Sequence, residues 1–216
     1  SKMKICILAP RFPFPENGGD VLRINSIARY LKQQGFEIIL VSFYESEPCL
    51  KKDFFNLYDS IYLVKRRRLF SLIYSFIFLL FKKPIQLGYY HSNWFTRKLN
   101  HVVRTEEPDL FVAHLIRMAP YVDSNMRKVK TIAVYCASSN KIRQSFVDAA
   151  ETLGEDIAQR GMRLIYGDGG IGLMAAVARG ALRAGGEVVG VIPQFMVDQK
   201  WNNPDSTQTI ITTTMH

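Results

Sequence analysis

The chain is 216 residues long, 48% hydrophobic and 22% charged, a composition that excludes a disordered or low-complexity protein. Its three cysteines are odd in number and scattered, which excludes a disulfide framework; Cys6 and Cys136 fall within predicted strands and are expected in the core. The net charge of +9 is uneven: residues 1–130 hold 21 Lys/Arg against 11 Asp/Glu, and residues 131–216 hold 7 against 8. Aromatic residues break at the same place, 21 before Thr131 and 5 from there on, while alanine rises from 4 to 10. Two parts are therefore predicted, 1–130 and 131–216.

In chain order, "KICILAP" is a short apolar run of the kind buried on both faces of a parallel sheet. No signal peptide is read before Lys4, and a cytoplasmic compartment is expected. After the loop "RFPFPENGGD", "VLRINSIARYLKQQG" predicts an amphipathic helix with Leu22, Ile27 and Leu31 on one face, closed by Gly35. "FEIILVSFY", "SIYLV" and, after "EEPD", "LFVAHL" are the next three strands. Between the last two lies "KRRRLFSLIYSFIFLLFKKP", whose apolar run from Leu69 to Phe81 is too short to span a bilayer. Two readings are open for it: a buried helix with solvated flanks, or an interfacial segment, Lys65–Lys83, whose basic ends meet anionic lipid. They differ in whether Phe76 and Phe78 are covered by protein.

From Thr131 the alternation resumes. "TIAVYCAS" is a strand, "IRQSFVDAAETLGEDIAQRG" a helix closed by Gly161, "MRLIYG" a strand, "GLMAAVARGALRAGG" a helix and "EVVGVIP" a strand. "QFMVDQKWNNPDS" reads as a loop and "TQTIITTTMH" as a last strand. Strands alternating with helices predict an α/β, Rossmann-like, mostly parallel sheet with helices on both faces, either one continuous sheet of seven or eight strands or two packed units. An open edge at the last strand predicts pairing with another chain, hence a homodimer. His91, His101 and His114 have no zinc-like spacing with each other or with the cysteines, so no metal or other cofactor is assigned. "KRRR" lacks a recognisable nucleic-acid module, so no nucleic-acid partner is expected.

Two glycine turns are candidate sites. "PENGGD" places Gly18 and Gly19 at the mouth of a helix, where backbone N–H groups and the helix dipole suit an anion. The surrounding "ILAPRFPFPENGGDVLRINSIARYLKQQGFEIILVSF" resembles the opening of GT-B glycosyltransferases of the family 4 type, with Gly18, Gly19, Arg23, Gly35 and Glu37 at the matching positions. The resemblance runs to about residue 129 and implies an acceptor-binding half-enzyme. The second turn, "YGDGGIG", sets Gly167, Gly169, Gly170 and Gly172 between a strand and a helix, where they either serve packing or admit a phosphate. With "VYCASS" before it and "GEVVGVIP" after it, the stretch from Lys130 to His216 resembles the LOG (Lonely Guy) family of nucleoside 5′-monophosphate phosphoribohydrolases. Ser138 and Ser139 either donate to the ligand or cap the following helix. Asp168 stands where that family usually has glycine and Ala175 where another glycine would fall; a carboxylate at a phosphate cradle repels its ligand by about 1–4 kcal/mol unless it points away.

In the LOG family the Met-His pair matching Met215 and His216 is followed by Glu-Arg-Lys and a glycine- and glutamate-rich segment, which implies that the catalytic set is incomplete here. The expectation is thus of two families joined at "KVKTI": a folded protein, not expected to be an enzyme by itself and with no catalytic residue assigned, that keeps at most weak binding of phosphate or a nucleoside monophosphate. Two alternatives stay open: a LOG-type phosphoribohydrolase completed by a partner chain, and the acceptor-binding half of a glycosyltransferase.

Overall fold

Eight strands carry the computed structural model: β1 (Lys4–Ala9), β2 (Glu37–Tyr44), β3 (Ser60–Lys65), β4 (Leu110–His114), β5 (Thr131–Tyr135), β6 (Arg163–Tyr166), β7 (Val188–Pro193) and β8 (Gln208–Thr212). They form one sheet in the order β3-β2-β1-β4-β5-β6-β7-β8, with every neighbouring pair parallel. The helices are α1 (Gly19–Gln33), α2 (Arg68–Leu80), α3 (Asn93–Glu106), α4 (Gln144–Gln159), α5 (Gly172–Arg183) and α6 (Gln194–Asp198). The structure describes residues 2–16, 18–45, 56–66, 68–80, 89–114, 118, 121, 129–136, 139 and 141–213.

The predicted α/β class stands, as one continuous sheet. The compositional boundary at residue 130 falls inside it, because β4 and β5 pair from Leu110↔Thr131 to His114↔Tyr135. Successive strand residues point to opposite faces. On one face Leu8, Phe43, Phe111, Ile132 and Leu164 meet Phe95 and Leu99 of α3 and Leu153, Ile157 and Val177 of α4 and α5. On the other, Ile7, Leu40 and Val112 meet Ile24 and Ala28 of α1, together with Tyr58. Cys6 and Cys136 lie free and buried in the core, as expected, and burial pushes both thiols up, Cys136 to about 12. Cys49 lies outside the described residues.

Three readings of the sequence need correction. The buried face of α1 is Val21, Ile24, Asn25 and Ala28, whereas Leu22 is exposed and Ile27 and Leu31 only partly buried. The i, i+3, i+4, i+7 spacing of the first set is the helical stripe, and it includes a polar residue that a search for apolar ones passes over. Asn25 is satisfied there: it donates to the Pro13 carbonyl and to Glu16 Oε1, each at 2.9 Å, and accepts from Tyr58 at 2.7 Å. Second, the sequence reading assigns no element to α3, although Phe95, Leu99, Val102 and Val103 follow a helical i, i+4, i+7, i+8 spacing and Ser92 caps its N-terminus by accepting from the Phe95 N–H. Third, the loop read after "EVVGVIP" begins with the single-turn helix α6, where Gln194 donates to Asp198 at 2.8 Å one turn on.

Helices α4 and α5 touch backbone to backbone. A Cβ on Gly154 would lie 2.0 Å from the Val177 carbonyl oxygen, and one on Gly180 2.0 Å from that of Glu151. Around this contact Arg179 pairs with Glu151 at 3.0 Å and Arg183 donates to Glu155 at 2.9 Å. The pairing fixes α5, and with it the turn that precedes α5.

Because one sheet spans both parts, they should unfold together. Trp94 and Trp201, both exposed, give each part its own fluorescent reporter once the other is replaced by Phe. Ile132→Ala removes a fully buried side chain of β5 and should cost about 2–5 kcal/mol. Both reporters should show one common midpoint, lowered equally by Ile132→Ala. Two separate midpoints, with only that of Trp201 displaced, would refute the shared core.

Candidate functional site

Parallel pairing brings both glycine turns to the same edge, at the C-terminal ends of the strands, where ligands of open α/β sheets bind. They do not form one site. The Gly18–Gly19 turn follows β1 and the Gly167–Gly172 turn follows β6, with β4 and β5 between them, three strand spacings or roughly 14 Å. Arg23, exposed on α1, is near enough to β5 to oppose electrostatically the burial that raises the Tyr135 hydroxyl. Ser139, beyond β5 and therefore next to the β6 turn, is exposed, and its hydroxyl accepts from the Lys141 N–H at 3.1 Å, a local turn contact. Ser138, Met215 and His216 lie outside the described residues.

At the first turn the anion position is already answered from within. Gly18 takes φ 109, and a Cβ there would lie 2.5 Å from the Arg11 guanidinium. Arg11 donates to Asp20, the acidic residue of the first turn of α1, at 2.9 Å through Nε and also through a second nitrogen. Partial burial works to raise the Asp20 carboxyl, but Arg11 outweighs it and holds the group below its usual range. A ligand anion would have to displace that carboxylate from both the guanidinium and the helix N-terminus.

The second turn is built the other way. Asp168 sits at φ 50, in the left-handed region that Asp enters more readily than most residues, and is fully buried. Its carboxyl points into the protein. Ser206 donates to Oδ1 at 2.5 Å, Tyr166 to Oδ1 at 3.1 Å and Thr209 to Oδ2 at 3.3 Å. Burial pushes the Tyr166 hydroxyl up to about 12, against the opposing bonds from Ser206 and Asn203, so it keeps its proton to donate at neutral pH. The Asp168 backbone carbonyl accepts from Asn203 N–H at 2.9 Å, Gly170 N–H donates to the Trp201 carbonyl at 3.0 Å, and Gly169 bridges to Asn202. The segment 201–209 thus grips the turn from below. The carboxyl fills the space over Gly190, where a Cβ would meet Asp168 Oδ1 at 2.0 Å. The departure noted in the sequence therefore does not put a negative charge in the cradle.

What remains outward is the exposed position 170 and the start of α5. That helix opens with no side-chain cap and no acidic residue in its first turn, Gly172 taking φ 68. Its leading N–H groups lack intrahelical acceptors and its dipole favours an anion. Glycine at 170 adds access, since the position is exposed and a Cβ there would meet only ordinary contacts, the nearest at 3.5 Å. Ala175, the other departure, is buried within α5 and away from this mouth. Among the described residues no group of three His, Cys, Asp or Glu side chains is placed to hold a metal ion.

Residues 129–216 match the SLOG cluster4 family. The SLOG segment is similar to two cytokinin riboside 5′-monophosphate phosphoribohydrolases. LOG5 of Arabidopsis thaliana is 35% identical over 89 residues, 41% of this chain and 39% of that protein. The Mycobacterium tuberculosis enzyme is 40% identical over 85 residues, 39% of this chain and 45% of its own length. The chain therefore spans less than half the length of these curated relatives. A solved structure, the molybdenum cofactor carrier protein of Chlamydomonas reinhardtii, matches 38% of this chain and 49% of its own at 26% identity, with a TM-score of 0.35.

These matches support the LOG part of the resemblance and add nothing to the glycosyltransferase part. They also overturn the expectation of two joined families without a complete catalytic site: the aligned relatives are named as phosphoribohydrolases, which favours a LOG-type enzyme. The incomplete catalytic set was inferred from what would follow His216, and a match covering less than half of each relative gives such reasoning no force.

The packing of Asp168 against Gly190 yields a double-mutant test. Gly190→Ala alone should destabilise by about 1–3 kcal/mol through overpacking, and Asp168→Gly alone by a similar amount through lost hydrogen bonds. In the double variant the added methyl occupies space the carboxyl has left, so the combined loss should fall short of the sum by about 0.5–3 kcal/mol in chemical unfolding. Simple additivity would mean that Asp168 does not lie over Gly190.

Proposed function

We propose that the chain carries the phosphate-binding half of a LOG-type nucleoside 5′-monophosphate phosphoribohydrolase, an enzyme that uses water to split the nucleotide into free base and ribose 5-phosphate. The observation behind this reading is the inward turn of Asp168, which leaves the uncapped α5 N-terminus at Gly172 open to an anion. The names of the aligned relatives supply the substrate class.

Binding and chemistry divide on this reading. The turn fixes the 5′-phosphate through backbone N–H groups, and Ser139, one strand away, borders the ribose side. Breaking the N-glycosidic bond needs a carboxylate acting at C1′ and a cation on the phosphate, because positive charge develops on the sugar as the base leaves. On this reading residues 131–216 contribute the phosphate cradle. The exposed edge strand β8 is the surface offered to a second copy.

Gly170→Asp tests the cradle without disturbing the fold, since a side chain fits there and an added carboxylate would oppose the phosphate by about 1–4 kcal/mol. AMP at about 100 times its dissociation constant should stabilise the parent chain by roughly 2.7 kcal/mol. The variant should melt like the parent without ligand and lose most of the AMP effect. AMP stabilisation that survives Gly170→Asp unchanged, or that is absent from the parent, would count against the proposal.

A further inference from the structure

Helix α2 is mounted with its apolar side outward. Ser71 and Ser75 are buried, Tyr74 is half-buried between them, and the Ser75 hydroxyl donates to the Ser71 carbonyl at 2.7 Å. On this inward side the Tyr74 ring lies 4.6 Å from that of His91, and Asn93 donates to the Tyr74 hydroxyl at 3.4 Å. The other side exposes Leu72 (61%), Ile73, Phe76 (61%), Ile77, Leu79 and Leu80 (65%). A 13-residue helix that turns serines to the protein and six large apolar side chains to solvent inverts the ordinary amphipathic arrangement. Phe76 is thus uncovered, while the side chain of Phe78 lies outside the described residues.

The sequence flanking this helix carries charge of one sign. From Ser60 to Thr105 the sequence contains no Asp or Glu, while Lys65, Arg66, Arg67 and Arg68 lead into α2 and Lys82 and Lys83 follow it. Lys65 is exposed at the end of β3. Arg66 is held locally, paired with Glu45 and lying 4.6 Å over the Tyr89 ring. At about 1.5 Å per residue the helix is roughly 20 Å long, short of a bilayer's hydrocarbon core of about 30 Å. Among the described residues no helix is long and apolar enough to cross a membrane.

We infer that α2 is a membrane-surface anchor, lying in the plane of an anionic bilayer with Leu72, Phe76 and Leu80 among the acyl chains and the basic flanks at the headgroups. Charge complementarity selects this occupant. A second copy docking on the same face would set two basic rims against each other, and a nucleic acid would leave the six apolar side chains in water. The inference is independent of the phosphate turn and goes beyond it, placing a nucleotide-handling fold at a lipid surface.

The test is co-sedimentation of the full chain with vesicles of phosphatidylcholine alone and of phosphatidylcholine mixed with phosphatidylserine. Binding to the mixed vesicles should exceed binding to neutral ones by about tenfold or more and should weaken as salt is added. Leu72→Gln, Phe76→Gln and Leu80→Gln together change only exposed positions; this variant should melt like the parent and stay in the supernatant. Should it misfold, Phe76→Trp gives a second readout: its emission should shift to the blue on anionic vesicles and be quenched by brominated acyl chains. Equal pelleting of the triple variant, indifference to lipid charge, unchanged Phe76→Trp emission, or self-association through this face in place of lipid binding would each overturn the inference.

Discussion

The five-residue parallel ladder between β4 and β5 is the constraint on which the molecule's arrangement depends. It joins a basic, aromatic-rich part to an alanine-rich one in a single sheet, and buries Phe111 and Ile132 beside each other in one core. Because the pairing is parallel and in register, every βα turn on both sides of it opens on the same edge. A different join could have kept all eight strands and still separated the turns into two unrelated surfaces.

On that shared edge two aspartates of similar local setting have opposite consequences. Asp20 stays at the mouth of its helix, where Arg11 and the helix dipole hold it as a carboxylate, so the turn is neutralised from within. Asp168 turns below its own loop, takes three hydroxyl donors and fills the space that Gly190 leaves by lacking a side chain. The difference lies in what sits beneath each turn: segment 201–209 gives Asp168 a polar floor. A glycine-rich βα turn therefore does not define an anion site by itself; the neighbouring carboxylate decides, by where it finds its partners.

Much of the fold was legible in the sequence, because short β-branched runs bounded by glycines and prolines admit few readings. The ends of α1 and α4 were legible in Gly35 and Gly161, which take positive φ after each helix. The buried side of α1 was not, since its stripe includes Asn25, whose partners come from Pro13, Glu16 and Tyr58 and exist only in the folded chain. Helix α3 was legible in the helical spacing of Phe95, Leu99, Val102 and Val103. The orientation of α2 was beyond reach, because sequence rules put leucine inside and serine outside, and here the serines are buried. At the candidate site the glycines were legible as a turn. The fate of Asp168 depends on hydroxyls at Ser206 and Thr209, some forty residues away.

The central claim is that one turn, held from below by Asp168, presents its backbone to a nucleotide phosphate. Its most direct test is an amide-resolved NMR titration of the full chain with AMP. The account predicts saturable shifts at the amides of Gly169, Gly170, Gly172 and Leu173, with those of Gly18 and Gly19 unmoved. Shifts centred on Gly18 and Gly19, or none at either turn at millimolar nucleotide, would contradict it.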